Sequence, residues 1–281
     1  MQSFSKFPAA AGRLSLGLLS ALLVARTAAA QIEVSSSSVI EHAAHPGDQI
    51  EGSIVVRNVS AQEQEVRAYQ TDYQFFADGT SDFAAPSTTP RSNASWITLS
   101  PSRFRIAAGQ TVRVGYVVTV PREVATPLVG SFWSAVMVEG VAPGSAESSL
   151  RGAAARVKVG VQVAIRHAIQ IDVNVDGQPA RTAMRLGNSA IASGTGDRRE
   201  LTLDAVNTGE IAVRPVLRID VFDEAGHAVA HAEQQRGLIY PGSSVRQHFS
   251  LGAIPKGTYR AVVVADTGGD DLFGARFTLK F

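Results

Sequence analysis

The chain has no cysteine in 281 residues, so neither a disulfide nor thiol chemistry is open to it. Its fold must be held by burial and strand pairing. Charge of either sign is not in excess. Lys and Arg number 26 against 25 Asp and Glu, which leaves no basic stripe of the kind nucleic acid requires. After residue 30 no apolar run is long enough to cross a membrane as a helix. Gly-x-Ser-x-Gly, a phosphate loop and a dinucleotide fingerprint are also missing. These absences point away from nucleotide chemistry and from common hydrolase machinery.

The first thirty residues carry an address. Lys6 and Arg13 precede an uncharged apolar run over 14–24, and Ala28, Ala29 and Ala30 stand before Gln31. That order is expected of a secretory signal peptide spanning residues 1–30. The remaining 250 or so residues are then an exported chain without a transmembrane helix, long enough for two ordinary domains. Export without cysteine fits a bacterial envelope protein, in the periplasm or at the cell surface.

The rest of the sequence alternates and shows hardly any helical period. Val112, Val114, Tyr116, Val118 and Val120 fall on one face of a strand. Leu217, Ile219 and Val221 mark another, and Tyr259, Ala261 and Val263 a third. Short period-two runs between Gly, Pro, Asn and Asp read as half-buried strands of a sandwich or barrel. An internal repeat favours two sandwiches. Asn58, then Gly109 leading into Val112-Arg113, then Gly130 before a strand with Phe132 and Trp133, form the first copy. Asn207, then Gly242 leading into Val245-Arg246, then Gly257 before Tyr259, form the second. The first copy holds an extra insertion over residues 78–94. The expected fold class is all-β, two tandem immunoglobulin-like β-sandwich domains, at residues 31–166 and 167–281.

The join between them is an alternating stretch. Val157, Val159, Val161, Val163 and Ile165 alternate with Lys158, Gly160, Gln162 and Ala164. After Arg166-His167-Ala168 the alternation resumes at Ile169, Ile171, Val173 and Val175. The first run reads as the last strand of one sandwich, the second as the first strand of the next, with a hinge at 166–168. Residues 140–155, small and polar, read as an exposed loop.

The search for chemistry yields weak candidates. His227 and His231, four apart, lie in an alternating strand after a turn, about 13 Å from each other, too far to share a metal. His42 and His45 flank a Pro46-Gly47 turn with no further ligand at a metal spacing. Asp266-Thr267-Gly268 after an apolar strand is similar to an aspartic-protease loop, but that chemistry needs a second carboxylate and hence a dimer. A turn is the simpler reading. No catalytic residue, metal or cofactor is expected.

Residues 96–106, with Pro101 and Phe104-Arg105-Ile106, followed by Gly109 and a strand carrying Arg113, resemble the first domain of periplasmic pilus-assembly chaperones. Asn58 and Phe132-Trp133 fit the same pattern. The resemblance implies that residues 140–155 and the strand after them are the loop and donor strand offered to a pilin-like subunit. Val157, Val159, Val161 and Val163 would insert into the client, with Lys158 as the strand's cation. The family also uses an arginine in its first strand to hold the client's carboxyl terminus, and residues 32–44 contain none. A second resemblance is to the two-domain surface proteins that partner WxL proteins, read from Pro46-Gly47, Asn58, Asp78-Gly79 and Val120-Pro121. It implies a structural or adhesive envelope module. The closing Phe281 also echoes outer-membrane barrels, though an ordinary last strand explains it more simply. In each case the expected role is non-enzymatic binding of another envelope component.

Overall fold

Alternation of apolar and polar residues builds the long strands, and the turns between them end on Gly, Asn or Asp. The computed structural model describes residues 32–122, 127–142, 145, 148, 165–193 and 198–281. The expected signal peptide, residues 1–30, lies outside them. Among the described residues there is no α-helix and no helix long and apolar enough to cross a membrane.

The first sandwich contains β1 (Ile32–Val34), β2 (Val39–Ala44), β3 (Gln49–Asn58), β4 (Gln64–Thr71), β5 (Gln74–Phe75), β6 (Ser81–Asp82), β7 (Ile97–Ser100), β8 (Arg103–Ile106), β9 (Thr111–Thr119), β10 (Gly130–Val141) and β11 (Arg166–Val175). One sheet runs β1-β3-β9-β7 and the other β2-β11-β10-β4-β8, while β5 and β6 form a separate hairpin. The second sandwich contains β12 (Met184–Ser193), β13 (Arg198–Asn207), β14 (Val216–Phe222), β15 (Ala228–Gln235), β16 (Ser244–Ala253), β17 (Thr258–Asp266) and β18 (Leu272–Lys280). Its sheets run β12-β13-β16 and β15-β14-β17-β18. Ile54, Val56, Val114, Val118, Val136 and Ile171 sit fully buried in the first core; Leu201, Leu203, Ile219, Phe249 and Val263 do so in the second. The all-β expectation of two tandem sandwiches holds.

The repeat noticed in the sequence has a shared physical purpose. Asn58 ends β3 and is wholly buried; its Nδ2 donates to the Gln62 and Ile106 carbonyls at 2.6 and 2.9 Å, and its Oδ1 accepts from Ser60 N. Asn207 ends β13 in the same way. Its Nδ2 donates to the Ile211 and Ile239 carbonyls, both at 2.8 Å, and its Oδ1 accepts from Gly209 N. A strand ending inside a sandwich leaves crossing backbone carbonyls without partners, and a carboxamide satisfies them from within the core. Next in each copy comes a turn whose glycine needs positive φ, 71° at Gly109 and 80° at Gly242. These turns start β9 and β16, which pair with β3 and β13 respectively.

Two expectations change, and a third gains detail. The run Ile169–Val175, expected to open the second sandwich, is the end of a first-sandwich strand. It pairs antiparallel with β10 and parallel with β2, and Ile169, Ile171, Val173 and Val175 are 3% exposed or less in the first core. No hinge interrupts 166–168, because β11 runs unbroken through it. Alternation shows that a strand has an apolar face, but not which core covers it. Residues 32–44, read as one strand, are two on opposite sheets. The serine run 35–38 makes the crossing: Ser35 N bonds Val55 O, Ser36 Oγ accepts from Val55 N, and Ser38 O accepts from Gln170 N. Finally, the insertion is an organised arm. It carries β6 of the β5–β6 hairpin, and the loop behind it is gathered onto the buried Asp72 carboxylate by the backbone N–H groups of Ser87, Thr88 and Thr89 and the Ser92 hydroxyl. Burial pushes the Asp72 carboxyl up, but these hydrogen bonds outweigh it and hold the group below its ordinary value.

Replacing Asn58 or Asn207 by Ala strands two carbonyls in each core. Each change should lower stability by roughly 2–3 kcal/mol, measured as a lower urea midpoint with an unchanged slope. Equal, negligible losses at both sites would remove the anchoring role.

Candidate partner-binding site

The expected partner-contacting residues Val157, Lys158, Val159, Val161 and Val163 lie outside the described residues. The structure does place both roots of the segment that carries them. One root is the end of β10. The other is Ile165 and the start of β11, where Arg166 lies opposite Glu139 in the ladder. All odd-numbered apolar residues of β11 from Ile169 onward face the first core. Ile165 shares their parity but is 38% exposed, beyond the end of that core.

The root is held by charge. The Glu139 side chain is 5% exposed and forms ion pairs with Arg67 of β4 and with Arg166, whose Nε lies 2.6 Å from Glu139 Oε2. Two guanidinium groups compensate one buried carboxylate, which would otherwise cost several kcal/mol to desolvate. The Arg67 guanidinium lies 5.0 Å from the Tyr69 ring centre. Burial raises the Tyr69 phenol, and the Glu139 charge raises it further. Ser148, in the loop leaving β10, donates to the buried Glu65 carboxylate at 3.0 Å. Beside the cluster is a concavity of about 580 Å³ lined by Tyr69, Thr71, Phe83, Pro86, Met137 and Arg166. Its apolar wall and single exposed guanidinium suit an extended peptide better than a small charged metabolite.

A second set of contacts fixes one sandwich against the other. The Trp133 and Tyr240 rings stack with centres 4.6 Å apart and planes 9° apart, and Phe75 of the β5–β6 arm meets Tyr240 edge-on at 6.0 Å. Trp133 Nε1 donates to Tyr73 O at 2.6 Å, so the indole is held on both its face and its polar atom. Backbone joins backbone where Ser131 N donates to Glu210 O at 2.9 Å, and Ala212 N donates to Ser131 Oγ at 2.7 Å. Ala77 N reaches Ser244 Oγ at 2.9 Å, and Arg214 grips Glu41 with both terminal nitrogens. The Tyr240 hydroxyl lies against Gln170 and Asp172 of β11. Trp133 was legible as an aromatic before a strand. Tyr240, Phe75 and Asp172 were not, because nothing in their local pattern says that another domain covers them.

The chemistry candidates resolve into local pairs. His227 Nδ1 contacts Asp223 at 3.2 Å and His231 Nδ1 contacts Asp220 at 2.8 Å, so each histidine has its own carboxylate. His42 Nε2 lies 3.1 Å from the Tyr116 hydroxyl, and burial lowers its pKa. Asp266 ends β17 and accepts from Gly268 N at 2.9 Å, a turn-capping contact. Among the described residues no three His, Asp or Glu side chains gather in a way that could hold a metal.

No protein-family model matches the sequence, and no curated protein matches it. The structure is similar to solved fimbrial chaperones. The YadV chaperone is 16% identical with a TM-score of 0.43, covering 88% of this chain and 100% of that one. The CsuC–CsuE chaperone–tip subunit pre-assembly complex of Acinetobacter baumannii gives 13%, 0.41, 87% and 98%. The SafB chaperone complex with SafA pilin from Salmonella enterica gives 13%, 0.40, 91% and 98%. Likenesses this distant assign no residue a role; those assignments rest on the geometry above.

Gly130 is the tightest point of the junction. Its φ is +78°, and an added Cβ would stand 2.1 Å from Glu210 O. Gly130→Ala should push the sandwiches apart and cost at least about 2 kcal/mol. Trp133 fluorescence should report increased solvent exposure, and small-angle scattering a larger radius of gyration. An unchanged scattering profile would refute a packed junction.

Proposed function

We propose that the chain is a non-enzymatic, exported binding protein of the pilus-chaperone kind, which lends the strand around residues 157–163 to a pilin-like envelope subunit. One observation carries this reading. Ile165 shares the parity of the core-facing residues of β11, beyond His167, and is exposed where the first core has ended. If the strand continues in the same direction, Val157, Val159, Val161 and Val163 all point away from any core of their own. A run of unpaired apolar residues at a sheet edge is a liability unless a partner covers it. The Glu139 cluster supports the reading by holding the start of β11 against β10 and β4. Lys158, on the opposite parity, would face the client's polar groups or solvent.

On this reading the first unit ends with Val175 and the second begins at Met184, with residues 176–183 as the link. The protein works in the periplasm or at the cell surface.

Affinity capture of the mature chain from its native envelope should recover a small subunit that lacks a strand. Val161→Asp with Val163→Asp forces two charges into an apolar groove and should weaken that capture at least about 100-fold, with the urea midpoint unchanged. Undiminished capture by the folded double variant defeats the donor-strand reading. Recovery of wall polymer with no protein would instead favour an adhesive module. Loss of a measured hydrolytic activity in Asp266→Asn would replace the binding reading altogether.

A further inference from the structure

The contact between the sandwiches contains more acceptors than protons. Tyr240 is 1% exposed, and its hydroxyl oxygen lies 2.6 Å from Gln170 Oε1 and 2.9 Å from each oxygen of Asp172. A phenol has one hydrogen and can satisfy one of those three oxygens. With Asp172 ionised, the other two face the phenol oxygen with no proton between them. Asp172 is itself 1% exposed, roofed by the second sandwich.

We propose that the junction between the sandwiches is closed by a proton on the Asp172 carboxyl, and loosens when that proton is lost. The protonated arrangement balances: the Tyr240 hydroxyl donates to Gln170 Oε1, and the Asp172 hydroxyl donates to Tyr240 Oη. Gln170 Oε1, Tyr240 Oη and one Asp172 oxygen are then joined by two hydrogen bonds, and no net charge is buried. This inference is independent of the client-binding reading, because it concerns only how the two units are joined.

The surroundings agree. Burial is the largest influence on Asp172 and pushes its carboxyl up to about 7; the Tyr240 hydrogen bond pulls it down, Glu41 pushes it up and Arg214 pulls it down. Glu41 lies opposite Asp172 on β2, and Arg214 of the second sandwich spends its charge on Glu41. On β10 the ladder partner is Trp133, which is uncharged. Burial first, and then the Asp172 charge, hold the Tyr240 phenol far above its ordinary value; Glu41 and Tyr73 push in the same direction. Tyr240 therefore stays protonated, and Asp172 is the group that titrates near neutrality. The neighbouring His42 points to the other face of β2, toward Tyr116.

The sign follows from linkage. The carboxyl binds its proton more tightly in the closed junction than in the unfolded chain, where the ordinary value is 3.8. Its contribution is complete below that value and is lost as the pH rises through about 7. Between those two values opening releases one proton, so the opening equilibrium should grow by up to about tenfold per pH unit and level off above about 7.

The test uses the full mature chain between pH 5 and 9. Wild type should show a Trp133 fluorescence transition, with a matching increase in radius of gyration, centred near pH 7. Asp172→Asn, whose amide donates to Tyr240 at every pH, should stay closed and flat. Infrared difference spectra between the two proteins should show a protonated carboxyl band at pH 6 that fades by pH 8. That readout does not require the variant to open or close. The proposal fails if wild type is flat across the range, if Asp172→Asn keeps the transition, or if the carboxyl band is absent at pH 6. The last result would mean that the Gln170 amide is turned to donate to Tyr240, which needs no proton.

Discussion

Two buried carboxamides do what disulfides do in many exported sandwiches. Asn58 and Asn207 each reach from a strand end to the carbonyls of a crossing segment, Ile106 in one case and Ile239 in the other. Without such a donor inside the core, those carbonyls would be desolvated and unpaired, and the two sheets would separate at that edge. Everything downstream depends on this closure. The turn at Gly109 starts β9, and the turn at Gly242 follows directly on Tyr240, so that the tyrosine is delivered to the junction. Asn93 does related work, donating to the Phe132 and Ile171 carbonyls at 3.2 and 3.0 Å and tying the arm of residues 72–96 to β10 and β11.

That arm explains why β10 is buried on both faces. Phe132, Val136 and Val138 face the core, while Ser131, Trp133 and Met137 face outward beneath the arm or the second sandwich. A strand covered on both sides reads as a continuous apolar run, and its polar residues must find partners. Ser131 bonds Asn174 and Ala212, and Glu139 pairs with two arginines. The same strand thus supplies the junction at one end and the root of the candidate binding segment at the other. A change in the angle between the sandwiches would be felt along β10 and β11, the two elements nearest the client in the proposed complex.

Much of the site was legible only as pattern. The alternation over 157–165 reads in the sequence as a strand with one apolar face, and of it the structure describes only Ile165, 38% exposed. The alternation over 169–175 looked equivalent and was not, since β10 and β2 flank it within the first sandwich. Asp172, lying between Ile171 and Val173, has the sequence context of a solvent-facing residue of a half-buried strand. Its burial arises from Tyr240, 68 residues away along the chain. The insertion around Asp78 could be seen as extra length, but the contacts that Phe75 and Ala77, at its entry, make with the second sandwich could not.

From the sequence alone came the all-β class, the presence of two related sandwiches, and the strands whose apolar residues recur at every second position. Those features are local, because pleating puts alternate side chains on one face whatever lies beyond it. Tertiary structure alone determined which core each strand joins, where the serine run crosses between sheets, and which polar side chains are sealed beneath the other sandwich. These are long-range outcomes: a residue's burial is set by what packs on it, and no spacing along the chain encodes that partner.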